Sequence, residues 1–125
     1  MNAPITLATL HLASDQEVFD QVAKHLLTQM KKSELPSSGL CAYRSPEGLK
    51  CAAGCLMAEH EVPLGSHMTR TWEGLMRYEL VPAEHKDLIL ALQEIHDDNE
   101  PVNWREELEI FARNHFLLFR PEMYK

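Results

Sequence analysis

Three cysteines fall close together in CAYRSPEGLKCAAGC, the segment from Cys41 to Cys55. Three chemistries are open to them. Thiolates and imidazoles are the ligands zinc prefers, so Cys41, Cys51 and Cys55 with His60 or His67 make a four-ligand set. The spacings, nine and three intervening residues, differ from the two-residue knuckles of common zinc sites. A thiol with a lowered pKa is a nucleophile or a redox group, and Arg44 and Lys50 are the nearby cations able to lower it. The third reading is structural, because free cysteines commonly behave as small buried hydrophobes.

The histidines add little to this. Ile95-His96-Asp97-Asp98-Asn99-Glu100 contains a His-Asp doublet of the kind that joins further ligands in metal-dependent phosphohydrolases. No further ligands of that type can be assigned here, and the doublet reads as a helix end running into a polar loop. His11, His25, His67, His85 and His115 are isolated, and His60 belongs to no two-histidine zinc motif. There is no phosphate-cradling glycine loop, nucleophile-elbow serine or dinucleotide fingerprint. With no complete catalytic constellation, no cofactor is expected, and Trp72 and Trp104 read as core anchors.

The elements that would position these residues follow from periodicity and turn chemistry. Ser45-Pro46-Glu47-Gly48 is a turn between two short runs, and it predicts a β-hairpin over about residues 41–53. Placing the apolar residues on one face pairs Tyr43 with Leu49 and Cys41 with Cys51, which leaves Arg44 and Lys50 on the other face. Ser14 and Glu17 form a capping box, and Val18, Phe19, Val22, Ala23, Leu26, Leu27 and Met30 make the apolar stripe of a helix from Asp15 to about Lys32. Met68, Trp72, Leu75 and Met76 fall at helical spacing. A third helix is expected over about 83–96 and a fourth from the Asn103/Glu106 capping pattern to near Phe116. Residues 1–13 read as an arm or short strand and residues 117–125 as a docked tail. The sum is a single α+β domain, 1–125, with about four helices around one core.

At 125 residues with 45% hydrophobic content the chain can bury a core without disulfides or metal as obligatory staples. Twelve Lys and Arg against nineteen Asp and Glu argue against binding a nucleic-acid backbone, which needs a cationic surplus. The N-terminus lacks a basic n-region and no apolar run approaches the roughly 20 residues of a membrane span, so a soluble, cytoplasmic protein is expected. The formal net charge of -7 is local: residues 83–110 hold nine acids and two bases, and the rest of the chain is balanced. A concentrated field of this kind steers a basic partner. Glu94, Asp97, Asp98, Glu100 and Glu106 are the candidate partner-binding residues.

CAYRSPEGLKCAAGCLM, with LQEIHDD and NWREELEIFA, resembles a family of small uncharacterised bacteriophage and bacterial proteins. Members carry a Cys-x-Tyr-Arg run, a turn with Gly, Lys-Cys-Ala-x-Gly, and later a Leu-Gln-x-Ile-His-Asp helix end. The match runs in the same order from about Gln16 to Phe116 and departs after Cys55, where Leu-Met-Ala-Glu-His replaces the usual Leu-Ile-Pro-Asp-Glu. Position by position it singles out Cys41, Tyr43, Arg44, Gly48, Lys50, Cys51, Gly54, His96 and Asp97. The resemblance implies a phage or prophage context in a bacterial host cell, where small acidic proteins often bind a host protein. The leading expectation is a non-enzymatic interaction protein, with a DNA mimic as a variant of it. The alternative is a small thiol- or metal-dependent enzyme centred on Cys41 and Cys51. Apolar residues left over in the tail offer a surface for a homodimer.

Overall fold

The computed structural model describes residues 4–124. Four α-helices carry it: α1 (Asp15–Gln29), α2 (Trp72–Arg77), α3 (Lys86–Asp98) and α4 (Pro101–Asn114). Helical turns of the 3-10 type at Leu10–Leu12, Gly54–Leu56, Glu59–Glu61, Gly65–Thr69 and Pro121–Met123 fill the connections. Helix α1 packs on α3 and α4, α3 packs on α4, and α2 covers α3. Phe19 and Phe111 stack across the α1–α4 contact with ring centroids 6.2 Å apart.

The helix ends show local chemistry at work. At the start of α1, the Glu17 N–H donates to Ser14 Oγ (3.1 Å) and the Ser14 N–H to Glu17 Oε1 (2.8 Å). The helix stops at Gln29, three residues short of expectation, because Met30 turns left-handed with φ 52°. Helix α4 starts at Pro101, whose missing N–H costs nothing in a first turn, and Asn103 lies inside the helix instead of capping it.

No strand forms among the described residues, where the β-type pairing is an isolated bridge between Glu34 and Cys41. The α+β class and the β-hairpin over 41–53 are therefore corrected to a helical fold. The turn itself exists: the Ser45 N–H donates to Leu49 O at 2.9 Å and the Gly48 N–H to Ser45 O at 2.9 Å, with Gly48 at φ 85°. Beyond it the two runs part. The Ala42 N–H goes to Ser33 O (3.0 Å) and the Tyr43 N–H to Met68 O (3.2 Å). The return run coils, with the Cys55 N–H on Cys51 O at 3.1 Å. Ala42, Tyr43 and every residue from Cys51 to Gly54 are buried, on both sides of the chain, which a two-stranded hairpin with one wet face cannot achieve.

Glutamine side chains replace strand pairing. An extended residue points its N–H and C=O to the same side, and a primary amide offers a matching acceptor and donor. Helix α1 makes this clamp three times. Gln21 accepts from the Ile5 N–H (2.7 Å) and donates to Ile5 O (2.9 Å). Gln29 does the same at Lys50 (3.0 and 2.9 Å), and Gln16 at Leu118 (2.8 and 2.9 Å). His25 Nε2 lies 2.9 Å from Lys50 O as well. The N-terminal arm, the segment after the turn and the C-terminal tail are thereby tied to one helix. The arm is an irregular turn whose Leu7 and Ala8 N–H groups both donate to the Glu61 carboxylate at 3.0 Å; residues 1–3 lie outside the described residues. The tail docks through Asp20, which accepts from Arg120 and from the Tyr124 hydroxyl, although Leu118 and Phe116 stay exposed.

Candidate functional site

Gln93, His96 and Asp97 lie at i, i+3 and i+4 on one face of the last turns of α3, and that face meets Cys41. Ligand atoms of Cys41, His96 and Asp97 all fall within 4.8 Å of one another. The Gln93 amide joins them. Its NH2 donates to Cys41 Sγ (3.0 Å) and Asp97 Oδ1 (2.8 Å), and its carbonyl accepts the Ala53 N–H (2.9 Å). Cys51 is fully buried, and its sulfur accepts the Gly54 N–H at 3.3 Å. The two halves of the resemblance motif, far apart in the chain, thus share one cluster.

The protonation states follow from the contacts. The Ser33 N–H donates to His96 Nε2 at 3.0 Å, and His96 Nδ1 lies 2.7 Å from Asp97 Oδ1. Burial disfavours a charge on His96, while Asp97 and Cys41 draw its pKa up. The Ser33 bond decides the tautomer: with Nε2 an acceptor, the ring proton sits on Nδ1 and is donated to Asp97. Burial alone would push the Asp97 carboxyl up, but hydrogen bonds from His96 and Gln93 hold it below the usual carboxylate range. The hydrogen bond with Cys51, and then burial, push the Cys41 thiol up. Ring stacking on Trp104, centroids 5.4 Å apart, fixes the imidazole plane.

These states limit the chemistry. A thiol held protonated is a poor nucleophile, and an imidazole with both nitrogens engaged has no lone pair to act as its base. A metal on His96 Nδ1 needs the ring proton moved to Nε2, directly against the Ser33 N–H. The alternative zinc set of Cys41, Cys51 and Cys55 with a histidine is not assembled among the described residues. The Cys55 thiol donates to Ala52 O at 3.1 Å, burial pushes it up to about 12, and it faces a different cavity; His60 is exposed on the 59–61 turn.

The remaining motif residues are architectural. Arg44 pairs with Glu59 at 2.9 Å and reaches the carbonyls of Gly54 and Met57 at 3.4 and 3.5 Å. Lys50 is held through its backbone and Gly48 shapes the turn. At Gly54 a Cβ would stand 2.1 Å from the Tyr43 carbonyl oxygen. Gln93, Ser33 and Arg70 were not singled out from sequence. Gln93 had a signal, one helical turn ahead of His96 in LQEIHDD; Ser33 and Arg70 had none.

Beside the cluster lies a cavity of about 320 Å³ whose lining includes Cys41, Tyr43, Trp72, Gln93, Glu94 and Asp97. The Tyr43 hydroxyl donates to Arg70 O at 2.5 Å, and burial pushes its pKa up. Glu94 and Asp97 on the cavity wall and Asp98, Glu100 and Glu106 outside it are all exposed. Of the nine carboxylates in residues 83–110, Glu109 pairs with Arg113 at 3.5 Å among the described residues, and Asp97 accepts the His96 Nδ1–H. Seven have no cationic partner there.

The chain matches no protein-family model, and no curated protein or solved structure matches it. Among the described residues no helix is long and apolar enough to cross a membrane.

Proposed function

We propose that this protein acts by binding a basic protein partner through the acidic surface of α3 and α4, without chemistry of its own. The observation that carries the reading is the set of seven exposed or half-exposed carboxylates, Glu94, Asp98, Glu100 and Glu106 among them, that no cation among the described residues pairs with. Self-repulsion of this kind destabilises a domain slightly and speeds encounter with an opposite charge. The locked tautomer of His96 and the protonated Cys41 favour this reading over a thiol- or metal-dependent enzyme. The resemblance to small phage and bacterial proteins implies a bacterial host as the place to seek the partner. Capture of partners from bacterial lysate, compared between the wild-type chain and the triple variant Glu94→Lys, Asp98→Lys, Glu106→Lys, tests it. The partner should be retained at low salt, released as salt rises through about 0.15–0.5 M, and lost from the variant. A partner held equally by both proteins overturns the reading.

A further inference from the structure

The cavity beside Cys41 is placed where the acidic surface begins. Its wall combines two aromatic rings, Tyr43 and Trp72, with three carboxylates, Glu73, Glu94 and Asp97. The one cation in the wall, Arg70, is already engaged: its Nε donates to His67 Nδ1 at 2.9 Å and its guanidinium lies 4.6 Å over the Tyr78 ring. The aromatic part is rigid. Tyr43 meets Trp72 edge-on with centroids 6.5 Å apart, and its hydroxyl is tied to Arg70 O. Trp72 is 2% exposed, and its indole N–H has no acceptor among the described residues. A buried donor without an acceptor is uncommon; the nitrogen is itself buried, so it lies behind the cavity's surface and reports on the wall without touching an occupant.

Resting on the reading of a basic partner, we propose that this cavity is the partner's anchor site and takes one arginine side chain. The guanidinium would pair with Glu94 and Asp97 and pack against the aromatic wall. Arginine suits these walls better than lysine, because its planar group accepts aromatic packing and offers several donors to two carboxylates at once. Three carboxylates against the single guanidinium of Arg70, which is turned to Tyr78 and His67, leave the cavity net negative. Glu94 is the selective element: it is exposed and carries no structural bond, whereas Asp97 also holds His96 and Gln93 in place.

The test is titration of the 15N-labelled full chain with acetyl-Gly-Arg-Gly-amide and with its citrulline counterpart, which has the same shape and no charge. The Trp72 indole N–H signal is the reporter, identified by its loss in Trp72→Phe. The arginine peptide should shift that signal and the citrulline peptide should not. Glu94→Gln should weaken the arginine peptide about tenfold, the loss of one charge-assisted contact, while Glu106→Gln, on α4, should leave it unchanged. Equal response to both peptides, shifts confined to α4, no response from either peptide, or indifference to Glu94→Gln each overturn the proposal. The two readings fail separately. A partner captured through Asp98 and Glu106 with no arginine peptide in the cavity removes the anchor and keeps the surface. An arginine peptide in the cavity with partner capture indifferent to charge reversal does the opposite.

Discussion

Helix α1 and the α3–α4 pair both turn polar side chains outward and use them oppositely. On α1, Gln16, Gln21, Gln29, His25 and Asp20 each hold backbone or a side chain of a distant segment. On α3 and α4, Glu94, Asp98, Glu100 and Glu106 hold nothing among the described residues. The boundary runs between neighbours: Gln93 ties Ala53, Cys41 and Asp97 together, and Glu94, next in the chain, faces the cavity and solvent. Polar groups in use by the fold are closed to a partner, and those left over are where a partner is to be sought.

The sharpest break in the tied half is Gly54→Ala. The new methyl would meet the Tyr43 carbonyl at 2.1 Å, backbone against backbone, so neither side can yield by changing a rotamer. The expected cost is about 3 kcal/mol or more, the upper end of overpacking, read as a fall in the urea midpoint. A midpoint within error of wild type would mean that the close approach of residues 43 and 54 is not present in solution.

A smaller effect compares the halves directly. Gln29→Ala removes both of its hydrogen bonds to Lys50 and leaves that of His25, at a cost of about 1–3 kcal/mol for the pair. Glu106→Gln, on the exposed face of α4, should change stability by less than about 0.5 kcal/mol, and toward greater stability because it relieves like-charge repulsion. Urea unfolding of the two variants side by side decides the matter. If Glu106→Gln proves the more costly, the division into tied and free polar groups is wrong.

How far each half was legible depends on the range of the interaction that shapes it. Helix α1 was legible because the Ser14/Glu17 box and the stripe from Val18 to Leu26 are local, and Trp72 and Trp104 were correctly read as buried anchors. The hairpin was not, because alternation in Cys41, Tyr43, Leu49, Cys51 and Ala53 suggests one buried face, while Ala42 and Ala52 between them are buried too. A small residue is silent about which side it faces. The glutamine clamps were equally hidden, since nothing in Gln29 itself says that its amide will meet Lys50 rather than water. At the site, His96 and Asp97 were placed correctly at a helix end, but their meeting with Cys41 is a contact across the whole fold. The excess of acid over base in residues 83–110 was fully legible; that it stays unpaired needed the structure.

The mildest perturbation is acidification, and it acts on the tied half first. His25 lies against Lys50 O, and burial holds its pKa below the ordinary 6.5. Because the folded ring resists protonation more than the unfolded one, the unfolded chain binds more protons as pH falls below 6.5. Stability from the neutral ring is therefore complete above pH 6.5 and declines as pH falls through the folded value. His25→Gln removes this window, and the difference between variant and wild-type urea midpoints measured from pH 7.5 to 5.5 isolates it from the other histidines. The wild-type curve should fall more steeply than that of the variant. Parallel curves would mean that His25 is solvated in solution, and that the Lys50 clamp rests on Gln29 alone.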